Sequence, residues 1–309
     1  MTTALITHPA CLHHELPPGH PERPARLQEV LKALDAGEFR ALLRKSAPQA
    51  APEALVRPHA REFVDAILAA IPESGFVRLD SDTIASPGSG EAALRAAGAV
   101  VLGVDMVIAG EAKNAFCAVR PPGHHATQNR AMGFCLFNNV AVGALHARAV
   151  HGIARIAVID FDVHHGNGTQ AIFESDAGLF YGSTHQSPLY PGTGWPDETG
   201  VAHNIVNAPL PPGAGGAEFR RAFETLVLPA LAKFEPEFLM ISAGFDAHRD
   251  DPLAQLRLDE SDFAWATEKL CASAEQLCGG RVVSTLEGGY DLEATARSAS
   301  AHVRALMAA

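Results

Sequence analysis

The stretch Ile156-Ala-Val-Ile159, followed by Asp160-Phe-Asp162-Val-His164-His165-Gly166-Asn167-Gly168, decides how this chain is read. Its apolar start reads as a buried strand, and the glycines after it read as a loop. In extended backbone successive side chains point to opposite faces, so Asp160, Asp162 and His164 share one face. Carboxylates and imidazoles gathered in an apolar setting are costly to hold unless a positive charge joins them. A divalent metal is the simplest such charge.

Working outward, apolar β-rich runs alternate with helical patterns. Strands are expected at 4–7, 115–119, 156–160, 178–183, 238–242 and 282–286. One helix should start near Pro24, a residue suited to a first helical position, and fade at Gly37. A second should run from about 89 to 110 and a third should follow Asn138, a candidate N-cap, and stop before Gly152. A fourth should start near Asp259, with Asp262 in its first turn, and end at Gly279-Gly280. Such alternation predicts an α/β fold with a mostly parallel sheet covered by helices on both faces. The Pro/Gly-rich stretches 187–200 and 209–216 read as loops inside this pattern. No repeat or linker interrupts it, so residues 1–309 are read as a single catalytic domain.

Composition narrows the classes. Hydrophobic residues make up 47% and charged residues 19%, as in a soluble protein with a large core. No apolar run approaches the ~18 residues of a membrane span. The first residues carry no secretory-signal pattern. The five cysteines form no CxxC pair and are odd in number, which reads as reduced thiols in a cytoplasmic protein. A net charge of −11 without a Lys/Arg-rich run argues against direct nucleic-acid binding. An acidic surface suits cationic substrates, and it equally serves solubility.

The chemistry falls at the carboxyl ends of several expected strands. Val119 leads into Arg120-Pro-Pro-Gly-His124-His125, and Ile159 leads into Asp160. Ile241 leads into Ser242-Ala-Gly-Phe-Asp246-Ala-His248, and Leu286 leads into Glu287-Gly-Gly-Tyr290-Asp291. Open α/β sheets bind ligands outside the carboxyl ends of their strands, so these segments should meet in one place. There Asp162, His164 and Asp246 could supply the three ligands of a catalytic zinc, although an oxygen-rich set also suits ferrous iron or cobalt. Such an ion makes its water acidic enough to act as a nucleophile. His124 and His125 suit proton transfer beside it, with Asp160 the carboxylate partner of one and Asn167 the neutral partner of the other. Tyr290 could donate a hydrogen bond to the oxygen that gains charge when a carbonyl is attacked. Taken singly, each motif could be a solvated loop or structural filler; their convergence argues otherwise.

These segments, together with Gly133-Phe-Cys-Leu-Phe-Asn-Asn139, Tyr190-Pro-Gly-Thr-Gly194 and Gly244-Phe-Asp-Ala-His248, resemble the histone deacetylase superfamily and occur in its order. His8-Pro-Ala-Cys-Leu-His13 and Gly19-His-Pro-Glu-Arg-Pro-Ala-Arg26 extend the likeness almost to the start. The details look class II-like, as in bacterial histone deacetylase-like amidohydrolases. The resemblance implies an arginase/deacetylase-type three-layer fold with a central parallel sheet and one zinc on Asp162, His164 and Asp246. It implies His125 as the main base and acid, His124 as an electrostatic helper paired with Asp160, and Tyr290 as the carbonyl-polarising group. Asn167 stands where class I members have aspartate, which leaves His125 a neutral partner and a lower basicity. A structural potassium is implied at Asp160, Asp162, His164, Ser183 and Thr184, several of them through backbone oxygens.

For substrate, the resemblance places Gly133 and Phe134 along an acyl-lysine channel, opposite Tyr190 where many members carry phenylalanine. Asp82 would sit on the rim and hold a substrate backbone. The polyamine-selective branch places an acid in the neighbourhood of Leu253, whose lack of charge favours an acyl-lysine side chain. The implied activity is zinc-dependent removal of acetyl or other acyl groups from lysine-like amines, the partner being an acylated lysine peptide or small acylated amine. The alternatives are an acetylpolyamine or small-amide amidohydrolase, and a non-catalytic acyl-lysine binding protein. No nucleic acid or membrane partner is expected, and a homo-oligomer is compatible with the sequence. Gly88-Ser-Gly90-Glu-Ala-Ala93 fits a loose dinucleotide fingerprint, but no buried strand precedes it. Cys11, His13, His14 and His20 are expected in a pocket-rim loop.

Overall fold

The computed structural model describes residues 2–309. Ten strands run in chain order. These are β1 (Thr3–Thr7), β2 (Leu43–Ser46), β3 (Val77–Arg78), β4 (Ile84–Ala85), β5 (Asn114–Cys117), β6 (Ile156–Asp160), β7 (Leu179–Gln186), β8 (Ile205–Leu210), β9 (Phe238–Ala243) and β10 (Val282–Leu286). Eight of them form one sheet in the order β2-β1-β5-β10-β9-β6-β7-β8, and β3 and β4 form a separate ribbon. Every neighbouring pair in the large sheet is parallel. The expected three-layer α/β fold is therefore present.

Both faces of the sheet are covered, which explains the continuous apolar runs of its interior strands. Alternation sorts the side chains. Ala115 and Val283 face the helix Ser89–Ile108, where a Cβ on Gly103 would touch both. Ser284 and Phe116 turn the other way, toward His302 on the helix Leu292–Ala308. Helices Asn139–His151 and Glu260–Cys278 extend the two layers along β6 and β9. Among the described residues no helix is long and apolar enough to cross a membrane.

The helix punctuation works as read. Asn138 Oδ1 accepts from the Ala141 amide at 3.0 Å, and Gly152 closes that helix in the left-handed conformation. Asp259 and Asp262 form a capping box, and Gly279 ends their helix. The first helix, Pro24–Ala33, stops short of Gly37. Other expectations need correction. Strands β2 and β8 were not expected, because Leu43-Arg-Lys-Ser46 is mostly exposed and β8 contains Pro209, which an edge strand tolerates. Pro209 and Leu210 thus belong to a strand rather than a loop. The helix Leu292–Ala308, capped by Asp291, was also unanticipated.

One buried ion network anchors the amino-terminal segment under the sheet's carboxyl edge. Glu22 is bound by Arg26 at 2.8 Å and by Arg120 at 2.5 and 2.6 Å, and all three are fully buried. Burial opposes the charge on Glu22, but Arg120, His14 and Arg26 lower its carboxyl to about 2. Arg120 also donates to the carbonyls of Cys11 and His14. Cys11 and His14 are therefore interior supports rather than rim residues, whereas His20 sets its ring edge-on to Phe134 at 4.9 Å. Removing the anion from such a network strands two buried guanidiniums. Glu22→Ala is expected to cost about 3–5 kcal/mol of stability, read as a lower unfolding temperature; an unchanged melting curve would contradict this account.

Candidate metal centre and catalytic pocket

Asp160 ends β6, Asp162 and His164 follow it in the loop, and Asp246 follows β9. Because β6 and β9 are hydrogen-bonded neighbours, the two loops start side by side. His164 Nδ1 lies 3.2 Å from Asp162 Oδ1 and 3.1 Å from Asp246 Oδ2. The remaining carboxylate oxygens are pinned: Asp246 Oδ1 accepts from the Val163 amide at 2.9 Å, and Asp162 Oδ2 accepts from the Gly288 amide at 2.8 Å. Gly288 is required at that place, because a Cβ there would fall 2.1 Å from Asp246 Oδ2 and 2.6 Å from Asp162 Oδ2.

Charge shows what this cluster fits. Burial opposes protonation of His164, yet its hydrogen bonds to the Asp162 and Asp246 carboxylates and their charges raise its imidazole to about 10. Burial, with the charge of Asp162, also raises the Asp246 carboxyl. The carboxylates demand a cation, and a proton is the one that His164 itself can hold. Ligands about 2.0–2.2 Å from a tetrahedral ion lie about 3.3–3.6 Å apart. The spacings here are close to that, so the donor set fits a divalent metal.

A second group of metal-ligating residues, Asp105, His146 and His151, lies on the helix layer. There Asp105 Oδ1 is only 2.7 and 2.6 Å from the two imidazoles, which are ordinary hydrogen-bond lengths. Arg57 also points a guanidinium nitrogen at His146 Nδ1 at 3.2 Å, which disfavours a protonated Nδ1 and so an Nε2–metal bond. We read this group as a hydrogen-bonded helix contact.

The tandem histidines occupy different electrostatic settings. His124 Nδ1 meets Asp160 Oδ2 at 3.0 Å. Burial works against its charge, but Asp162 and Asp160 raise His124 to about 10. His125 Nδ1 meets Asn167 Oδ1 at 2.8 Å, and Asn167 Nδ2 reaches Met132 Sδ at 3.4 Å, which orients the amide. Asn167 Oδ1 thus accepts a hydrogen bond from His125 Nδ1–H, which fixes the tautomer that leaves Nε2 unprotonated. Burial, then the charges of His124 and His164, hold His125 well below the usual imidazole range. Gly133 permits this packing, since a Cβ on it would lie 2.3 Å from His125 Cδ2.

The substrate residues read from sequence share one cavity of about 250 Å³, lined by Asp82, His125, Gly133, Phe134, His164, Leu189, Tyr190, Leu253 and Tyr290. Tyr290 is buried with the Arg26 guanidinium 4.6 Å above its ring. Burial raises its phenol above the usual range against the opposing charge of Arg26, so it remains a donor. Asp82 Oδ1 accepts from the Gly133 amide at 3.0 Å and so braces the channel wall. Ser183 Oγ bonds His185 at 2.9 Å, and the neighbouring Thr184 Oγ1 is buried without a hydrogen-bond partner.

Sequence reading missed several contributors. Leu189 lines the cavity beside Tyr190. Tyr181 Oη donates to Asp160 Oδ2 at 3.1 Å and accepts from the Gly166 amide at 2.9 Å. Glu287 accepts from the amides of Gly123 and His124 at 2.6 and 3.2 Å, and burial raises its carboxyl to about 7 despite the charge of His124. Its place directly after a strand was the available signal.

Comparisons with known proteins identify the family of the chain. The model of the histone deacetylase domain matches residues 20–306. A histone deacetylase-like amidohydrolase of Pseudomonas aeruginosa is 40% identical over 88% of this chain and 73% of its own length. A probable deacetylase of Archaeoglobus fulgidus is 38% identical over 95% and 82%. The crystal structure of the HDA15 HD domain superposes with a TM-score of 0.94 at 38% identity, covering 99% of this chain and 88% of that one. With its motifs in order, its sheet parallel and its polar loops converged on one cavity, the chain belongs to the histone deacetylase family.

Proposed function

We propose that the protein is a zinc-dependent amidohydrolase that removes acetyl groups from acylated lysine side chains. The observation that carries this reading is the meeting of His125, His164 and Tyr290 in the cavity walled by Phe134 and Tyr190. Asp162, His164 and Asp246 would hold a zinc, which would supply the positive charge needed to acidify a water and polarise the scissile carbonyl; ferrous iron suits the same oxygen-rich donors.

The chain's own groups do the rest. His125 Nε2, freed by the Asn167 contact at Nδ1, accepts the proton of the attacking water. The Tyr290 phenol donates to the carbonyl oxygen as it gains negative charge. The C–N bond then breaks, and His125 returns its proton to the departing amine. His124, paired with Asp160, holds positive charge beside the reacting centre. Phe134 and Tyr190 flank the linear side chain and exclude water, and Asp82 meets the substrate backbone at the rim. A potassium ion near Asp160, Asp162, His164, Ser183 and Thr184 would partner the unsatisfied Thr184 hydroxyl.

Leu253 on the lining brings no charge to bind a second ammonium, which favours lysine over polyamines. Asp82 is an acidic residue on the same lining, so acetylated polyamines form the second reading. Competition between an acetyl-lysine peptide and acetylspermidine decides between them; preferential turnover of the polyamine would overturn the first.

Tyr290→Phe should keep one divalent ion per chain by elemental analysis and lose about 10²–10³ in kcat on an acetyl-lysine peptide. Full activity in that variant would contradict the role given to the phenol. A chelator should abolish turnover, and added zinc should restore it.

The pH profile tests His125. It works as a neutral base, so activity should fall only where pH drops below its depressed pKa, on the acid side of 6.5. Asn167→Asp places a carboxylate at Nδ1 and should move that acid limb upward by about 1 unit or more. An unmoved limb would mean that another group sets it.

A further inference from the structure

The loop that carries Tyr290 is gripped from two sides, by a guanidinium and by a carboxyl group. Arg26 donates to the carbonyls of Glu287, at 2.6 Å, and Gly289. On the other side Asp251 Oδ2 accepts from the Tyr290 amide at 2.7 Å and from the Asp291 amide at 3.4 Å. The other oxygen, Asp251 Oδ1, accepts from the amide of Leu253 at 3.0 Å. Asp251 is 7% exposed, so these amides have little water to replace it. One carboxylate therefore ties together the loop that ends in Leu253, on the cavity lining, and the loop that presents the phenol.

We propose that Asp251 is a positioning residue that sets the Tyr290 hydroxyl through the backbone and couples it to the channel wall at Leu253. This rests on the role given above to Tyr290. A carboxylate suits the task because both oxygens accept. An asparagine has one accepting oxygen, and its NH2 group must then face an amide N–H, either that of Tyr290 or that of Leu253. The phenol has no hydrogen bond of its own among the described residues, only its ring contacts with Arg26 and Phe134. Its placement thus depends on where the backbone at 290 is held.

The test is a double-mutant cycle on the zinc-loaded full chain with an acetyl-lysine peptide, reading kcat and KM separately. Asp251→Asn should lower kcat roughly tenfold or more, the effect of one unpaired buried amide, with KM and metal content little changed. In a Tyr290→Phe background the same substitution should change kcat by less than about twofold, because its target is already gone. An equal loss in both backgrounds would assign Asp251 to general structure and overturn the proposal. So would a change in KM alone, or wild-type kcat in the single variant. If Asp251→Asn does not fold, Asp251→Glu, which keeps the charge but displaces both oxygens, enters the same cycle with the same outcomes. Wild-type turnover by Tyr290→Phe alone would instead refute the phenol's role, a result separable from any of these.

Discussion

Buried negative charge at the carboxyl ends of β6, β9 and β10 is the constraint on which the rest of this molecule depends. Asp160, Asp162, Asp246 and Glu287 are each at most 1% exposed. Two such charges 4 Å apart repel by about 4 kcal/mol even at an effective dielectric constant of 20. The loops answer with oriented amides: Val163 on Asp246, Gly288 on Asp162, and Gly123 and His124 on Glu287. These donors are partial charges, and they leave a deficit that a divalent cation would fill.

That deficit also separates two chemically identical side chains. His124 and His125 are consecutive, with ring centroids 4.0 Å apart. The first contacts a carboxylate and is held protonated; the second contacts an amide and is held neutral. Environments that push paired titratable groups in opposite directions let one site hold both a fixed charge and a neutral imidazole with a free nitrogen.

The periphery serves the same centre at a distance. The Glu22–Arg26–Arg120 network joins the amino-terminal segment to the strand ends, and Arg26 continues from it to the carbonyls of the Tyr290 loop. Ion pairs this deeply buried are a weak source of net stability, because desolvation offsets most of the attraction. Their value here is geometric, since they hold irregular loops in one register where no sheet or helix can.

Much of this was legible along the chain. Hydrophobic runs, caps and glycines located the interior strands and four long helices, because each depends on residues adjacent in sequence. The clustering of Asp162 and His164 with Asp246, and of the tandem histidines beside them, was legible for the same reason: strand periodicity and loop chemistry put them at strand ends. The strands β2 and β8 were not, because β2 is mostly exposed and β8 carries Pro209, and both are defined by pairing with strands distant in sequence. Nor were the partners that decide protonation and placement. That Glu287 holds Gly123, that Tyr181 reaches Asp160, and that Asp251 meets Tyr290 are contacts between segments 21 to 164 residues apart. Residue type announces a capacity to donate or accept, whereas burial and long-range chain closure determine which partner is met and at what charge.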